Sequence, residues 1–264
     1  MIDIHTHILP NVDDGSPNLI QSIKMLKQAE DDGIKGIVCT PHVLRMNDFE
    51  NEGMYFRQYE ELKKMAREEG ITVDIYLGAE IYITPELKLE SRMATLNNNG
   101  TYFLVEFPMA SIPRFAAEMF FQFIASGKIP IIAHPERNLG FLQHPEYAFE
   151  FVNRGALMQV NAGSLRGRFG QDIKKLAHTL LDHNLAHFVG SDCHDVERRK
   201  CQLKKTYDLV AEKWGHETAE QLFVKNVQSV LNGETFSTPI GIPIEFKREG
   251  FFSQLIKGFT KFRK

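Results

Sequence analysis

The chain has 264 residues, 43% of them apolar and 25% charged, so it can bury a sizeable core without disulfides or a structural metal staple. Its formal charge of −3 excludes a broadly basic nucleic-acid binder, and no apolar run approaches the ~20 residues of a membrane-spanning helix. Cys39, Cys193 and Cys201 are too few and too odd in number for a disulfide framework, and Met1-Ile2-Asp3-Ile4-His5 opens with neither a basic region nor an apolar signal core, so a cytoplasmic protein is expected.

In chain order, short apolar runs occupy residues 2–5, 36–40, 73–78, 102–106, 130–133, 156–161 and 186–190. They are continuous rather than alternating, which predicts parallel strands buried on both faces. Between them, Ile20, Ile23, Leu26 and Ala29 form an amphipathic stripe that stops at Gly33. Phe115, Met119, Phe120, Phe123 and Ile124 form a second before Gly127, and Ile173, Leu176, Ala177, Leu180 and Leu181 a third. Repeated strand–helix units predict an α/β barrel or a doubly wound sheet. Gly241-Ile242-Pro243 marks the end of a globular body expected over 1–245. The remaining 246–264 hold six basic side chains and one acid, which leaves the body at −8. In that tail Phe251, Phe252, Leu255, Ile256, Phe259 and Phe262 share one helical face and Lys257, Lys261 and Lys264 lie off it. This is the pattern of an interfacial helix, so a weak peripheral membrane or partner contact is expected there, with a frayed tail as the alternative.

The chemistry lies at the strand ends. His5 and His7 end the first run, His42 follows the second, Glu80 the third, Glu106 closes the fourth, His134 the fifth, and Asp192 and His194 follow the seventh. Parallel strands in α/β folds present their carboxyl ends to one side, so these side chains should converge. Imidazole and carboxylate suit Mn, Zn or Fe, and no thiolate cluster competes. His5-x-His7 and Asp192-x-His194 have the spacing that puts two side chains on one strand face. So many donors exceed the demand of one ion, and two or three metals are expected. A pair of ions could share a hydroxide and clamp an in-line displacement at phosphorus. A set of buried polar groups with no metal is the poorer explanation, because buried charge without a partner is costly.

Asp13-Asp14-Gly15 has the composition of a turn, and Asp14 is the better candidate for a further ligand. Arg137 and Arg199 fall in loops at the ligand face, where a bidentate donor would hold phosphate oxygens. Arg198 reads as a solvated surface residue, and His144, His178, His183, His187 and His216 read as solvent-facing. Cys193 to Arg199 and Cys39 to Arg45 match the spacing of cysteine phosphatases. Neither loop, however, has the glycines or the positive environment that chemistry needs, and both thiols read as small buried apolar groups.

These segments together, namely Ile2-Asp-Ile-His-Thr-His-Ile-Leu-Pro-Asn-Val-Asp-Asp-Gly15, Gly78-Ala-Glu-Ile81, Leu104-Val-Glu-Phe-Pro108, Ile132-Ala-His-Pro-Glu-Arg137 and Gly190-Ser-Asp-Cys-His194, resemble the PHP (polymerase and histidinol phosphatase) superfamily. More narrowly, the chain is similar to the bacterial PHP-type tyrosine phosphatases of capsule and exopolysaccharide operons, the CpsB/YwqE type. The resemblance implies a distorted (β/α)7 TIM-like barrel and three divalent ions, usually Mn2+, with Fe, Zn or Mg as other choices. It assigns His5, His7, Glu80 and Asp192 to one ion, Glu80, Glu106 and His134 to a second, and Asp14, His42 and His194 to a third. Many relatives outside this subgroup have His where Glu106 stands. It assigns Arg137 and Arg199 to phosphate, and implies hydrolysis of phosphotyrosine by a metal-bridging hydroxide without a phosphoenzyme. His42, His194 or water could protonate the leaving oxygen. The implied partner is a bacterial tyrosine autokinase in control of polysaccharide synthesis. Two other readings stand beside it: a small-molecule phosphomonoesterase such as histidinol-phosphate phosphatase, and a non-catalytic kinase-docking module.

Overall fold

A computed structural model describes residues 1–245. The basic amphipathic tail expected over 246–264, with its membrane contact, lies outside the described residues. The fold is mixed α/β. Strands β1 (Ile2–Thr6), β2 (Gly36–Cys39), β3 (His42–Val43), β4 (Asp74–Leu77), β5 (Glu80–Tyr82), β6 (Tyr102–Glu106), β7 (Ile129–Ala133), β8 (Leu157–Asn161) and β9 (Phe188–Gly190) form two parallel sheets, in the orders β1-β2-β4 and β3-β5-β6-β7-β8-β9. Each of the seven expected runs contains a strand. What the runs did not reveal is that β3 and β5 continue β2 and β4 after short breaks. Pro41, which cannot donate to a ladder, and Gly78 sit in those breaks. A Cβ on Gly78 would come within 2.7 Å of the Leu96 side chain.

The two sheets are tied at the far edge. The segment after β9 pairs in parallel with β1 through a Thr6–Cys193 bridge, with the Asp192 N–H donating to His5 O and the His7 N–H to Cys193 O, both at 2.9 Å. The expected helical stripes fall in the helices Leu19–Asp31, Ala116–Ala125 and Gln171–Asp182. The first is capped by Asn18, whose Oδ1 accepts from the Gln21 N–H at 3.0 Å. The longest described helix, Glu52–Glu68, is an element the apolar runs do not predict; it buries Tyr55, Leu62 and Ala66 and packs Tyr59 and Met65 against the core.

Period-two alternation builds the site. On β6, Tyr102 and Leu104 join one apolar cluster and Phe103 and Val105 a second, which packs under the helices. On β8, Leu157 belongs to the first cluster and Met158 and Val160 to the second. The helix Asn226–Asn232 covers the amino ends of the strands with Val227, Val230 and Leu231, completing an apolar floor with Ile2, Ile4, Ile131 and Phe188. Two residues further along the same faces stand Glu106 and Gln159, at the carboxyl ends. On β1 the pairing register shifts between Asp3 and Thr6. Such an irregularity re-aims a strand, which lets Ile4 join the floor while its neighbour His5 joins the polar cluster above it.

The solvent-facing position expected for His187 is wrong. It is 2% exposed, its Nδ1 accepts from the Met158 N–H at 3.1 Å, and its Nε2 has no hydrogen-bond partner. Burial pushes its pKa down to about 4. Below pH ~6.5 the unfolded chain therefore binds a proton here that the folded chain refuses, so stability falls as pH drops from ~6.5 towards ~4. His187→Gln keeps an acceptor without a titrating group. Between pH 7 and 5 it should lose about 2 kcal/mol less unfolding free energy than the parent chain in urea melts; parallel pH slopes would refute this.

Candidate metal centre

The strand-end residues do converge. His5 Nε2, His7 Nε2 and Glu80 Oε2 form a triangle with sides of 3.1, 3.1 and 3.2 Å. Glu80 Oε2 also lies 3.1 Å from His42 Nδ1, and its Oε1 lies 2.9 Å from His134 Nε2. Glu106 Oε1 is 3.7 Å from His134 Nε2. Asp192 Oδ1 lies 3.8 Å from His5 Nε2, 3.6 Å from His7 Nε2 and 3.6 Å from His194 Nδ1. The exposed Asp14 closes the outer side, its Oδ1 3.5 Å from His42 Nε2 and 3.4 Å from His194 Nε2. All nine sequence-nominated donors thus belong to one connected cluster. Three tight donor groups stand out within it: His7, Asp14, His42 and His194; His5, His7 and Glu80; and His42, Glu80 and Glu106.

The ring orientations are set by neighbours the sequence reading did not nominate. The Asp192 carboxylate can only accept, so Asn161 Nδ2 donates to its Oδ2 at 2.7 Å. Asn161 Oδ1 must then accept from Gln159 Nε2, at 2.9 Å, which leaves Gln159 Oε1 to accept from His5 Nδ1–H at 2.7 Å. The chain of amides therefore presents the lone pair of His5 Nε2 to the centre, as an outer partner does for a ligating histidine. Asp13 does the same for His7, with Oδ2 2.8 Å from Nδ1, and is itself held by the Gly15 and His42 N–H groups at 2.9 and 3.1 Å. A Cβ on Gly15 would sit 2.1 Å from His7 O, and one on Gly190 2.9 Å from His5 Cβ, so both positions require glycine. His134 and Asp192 take left-handed backbone, φ +32° and +53°, a cost that non-glycine residues sustain where the surroundings dictate the conformation.

The electrostatics are those of a site with too many titrating groups for its protons. Burial opposes ionisation of Glu80, but the charge of His5, the hydrogen bond with His134 and the nearness of His7 outweigh it and hold the carboxyl well below its usual range. Burial likewise opposes the His7 cation, and Asp13 and Glu80 overcome it. Burial and the Glu80 charge push Glu106 up to about 7. Burial and the His7 charge press His194 down to about 3.

Three buried atoms facing this centre, His42 Nδ1, Glu80 Oε2 and His194 Nε2, have no hydrogen-bond partner. An orphaned buried lone pair is costly. Ligands about 2.1 Å from one ion at right angles stand about 3 Å apart, the spacing of the His5–His7–Glu80 triangle. The all-N/O donor set also suits divalent cations. The residues present therefore fit metal ions.

Arg137 and Arg199 reach the same place from the loops after β7 and β9. Arg137 Nη1 lies 2.8 Å from Asp192 Oδ2, and Arg199 Nη2 2.5 Å from Asp192 Oδ1. On the opposite side, after β1, β3 and β6, an open groove of about 700 Å³ runs away from Asp14, His42 and Glu106. Its walls include Leu44 and Met109, 54% and 42% exposed, with Tyr55, Tyr82 and Phe107. Sequence reasoning missed these walls because an exposed apolar residue in a loop carries no periodic signal. Cys39, Cys193 and Cys201 are all buried, and burial pushes the Cys39 thiol up.

Among the described residues no helix is long and apolar enough to cross a membrane. The family model described as "Capsular polysaccharide synthesis, CpsB/CapC" matches residues 1–232. CapC of Staphylococcus aureus is 37% identical over 260 residues, covering 97% of this chain and 100% of that one. The tyrosine-protein phosphatase YwqE of Bacillus subtilis is 35% identical over 256 residues, covering 96% and 100%. A chain from the crystal structures of YwqE from B. subtilis and CpsB from Streptococcus pneumoniae, described as unique metal-dependent tyrosine phosphatases, is similar with a TM-score of 0.85 at 34% identity. That match covers 93% of this chain and 100% of the other. With its sequence matched almost from end to end and its metal-fitting cluster assembled at the strand ends, the chain belongs to the CpsB/CapC capsular polysaccharide synthesis family.

Proposed function

We propose that this chain is a metal-dependent protein-tyrosine phosphatase. The observation that carries the reading is the donor cluster around Glu80, with orphaned lone pairs aimed inward and two arginines at its edge. In this reading three Mn2+ ions would be held by His5, His7, Glu80 and Asp192, by Glu80, Glu106 and His134, and by Asp14, His42 and His194. When bound, the ions supply Lewis acidity toward the phosphoryl oxygens and lower the pKa of the attacking water. The arginine forks of Arg137 and Arg199 clamp and orient the phosphate oxygens, turning from Asp192 to the substrate. The apolar groove walls take the aromatic ring, which favours phosphotyrosine over an aliphatic phosphoester, and the openness of the groove suits a protein segment more than an enclosed metabolite. With His42 and His194 serving as ligands in this reading, the proton for the leaving tyrosine oxygen comes from water, a demand softened by that oxygen's parent pKa near ~10. The buried thiols take no part. The supporting fold is a closed, distorted (β/α)7 barrel, in which β2–β3 and β4–β5 are two bent strands and the β1 contacts beyond β9 complete the ring. The substrate class that follows is a phosphotyrosine-bearing protein, a bacterial tyrosine autokinase, and the process is control of capsule or exopolysaccharide synthesis, in line with the family description.

The test is hydrolysis of a phosphotyrosyl peptide and of its phosphoseryl counterpart. Chelation should abolish activity and Mn2+ should restore it. Cys193→Ser should stay within about twofold of the parent, and the phosphoseryl peptide should be at least about tenfold poorer in kcat/KM. Chelator-resistant hydrolysis lost in Cys193→Ser would replace metal chemistry with thiol chemistry, and equal rates on both peptides would remove the tyrosine assignment.

A further inference from the structure

A second charged feature lies on the same face of the molecule but outside the metal centre. A pocket of about 320 Å³ is lined by Arg166, Gly167, Arg168, Arg198, Lys200 and Gln202. These residues come from the segment after β8 and the loop after β9, so the pocket sits at the carboxyl ends of the strands, beside the catalytic mouth. Its four cations make no ion pair with any described residue, although the body of the chain carries excess acid. The nearby Asp195 is committed to the loop itself, accepting from the backbone N–H groups of Glu197, Arg198 and Arg199, and Glu197 is exposed. Asp32 acts on Arg166 and Asp195 on Arg168 through space, but two acids do not balance four cations, so the remaining repulsion is a cost to the free protein that an anionic ligand would relieve.

The pocket is also physically joined to the phosphate arginines. Arg198 and Lys200 flank Arg199 in the chain. Arg168 and Arg137 share one aromatic ring, their guanidinium carbons 5.8 and 4.8 Å from the centroid of Phe169. The groove and the pocket both open at the carboxyl ends of the strands, on either side of the centre, so a polypeptide that spans the mouth from the groove to the loops after β8 and β9 would bring residues flanking its phosphotyrosine to the pocket.

We propose that this basic pocket docks acidic side chains, Asp or Glu, of the substrate polypeptide next to its phosphotyrosine. This rests on the phosphotyrosine-protein reading above and adds the sequence context it selects. Arg137 and Arg199 serve the scissile phosphate, while Arg166, Arg168, Arg198 and Lys200 read the flanking charge. Carboxylates on a flexible segment meet several partly exposed cations at once, so the gain is modest per pair and sensitive to salt.

The experiment compares kcat/KM for two phosphotyrosyl peptides that differ only in flanking Glu or Gln residues. The parent chain should prefer the Glu peptide about tenfold at low salt, and the preference should shrink towards unity at about 0.5 M NaCl. In Arg166→Glu/Lys200→Glu the ratio should fall to unity or invert. Equal rates on both peptides by the parent, or a preference that survives in the variant or at high salt, would overturn the docking site. A variant that loses binding to anionic lipid vesicles while keeping the peptide preference would also overturn it, by assigning the pocket to a membrane surface. Hydrolysis of neither peptide by the parent would instead defeat the phosphotyrosine reading, so the two failures are distinct. The salt titration of the parent tests the proposal even where the variant does not fold.

Discussion

Glu80→Gln should leave the chain folded, with its circular dichroism unchanged, and lower phosphotyrosyl kcat/KM by about a thousandfold or more, about 4 kcal/mol of transition-state stabilisation. Glu80 is the side chain through which the cluster is connected: one oxygen faces His5, His7 and His42 and the other faces His134, all within 3.2 Å. Glutamine preserves the shape but replaces one anionic oxygen by an N–H donor, which cannot ligate a cation and would point a hydrogen at an imidazole lone pair. Metal content measured by inductively coupled plasma mass spectrometry should fall together with activity. A variant that keeps its full metal content and its rate would remove Glu80 from the centre and the multi-metal reading with it.

Arg199→Ala should lower kcat/KM on the same peptide by about a hundredfold, within the range seen when one preorganised charge-stabilising group is lost. Inhibition by inorganic phosphate should weaken in parallel. Arg199→Lys should recover only part of the loss, because an ammonium restores charge but not the planar two-donor fork. The arginine contacts Asp192 directly, so a purely positioning role is the competing explanation, and metal content separates the two. Loss of phosphate affinity with metal retained supports a phosphate contact, whereas metal loss in proportion to activity makes Arg199 a support for Asp192. Arg137→Ala should behave in the same way, with a further contribution from its stacking on Phe169.

Much of this was legible because two short-range rules happen to coincide at one place. Parallel strands write themselves as continuous apolar runs, and their carboxyl ends all face one side. A His, Asp or Glu at the end of such a run is therefore visible as a candidate without any knowledge of contacts, which is how His5, Glu106 and His134 could be named. The same rule reached too little. It passed over Gln159 and Asn161, which end the sixth run on the face shared with Leu157, because an amide draws no attention as a ligand; their role in fixing His5 is indirect. It treated Asp13 as a turn residue, since composition cannot tell which of two adjacent carboxylates a loop will turn inward. Asp13 is the one that braces His7, and Asp14 faces His42 and His194. His187 failed for a related reason: a histidine before a strand reads as a solvated end, and only the helix packed over that end buries it, with Asn226 Nδ2 donating to its carbonyl oxygen at 2.9 Å.

The sequence by itself determined the order and identity of the donor residues and the alternation that places apolar side chains below them, because strand periodicity and residue chemistry are local properties. The tertiary structure alone decided which donors share an atom's reach, which neighbours orient them, and that an apolar groove and a basic pocket flank the centre. Those are distances between segments up to nearly two hundred residues apart, as between Asp3 and Ser191, and nothing in a strand's own pattern encodes how far it will stand from another.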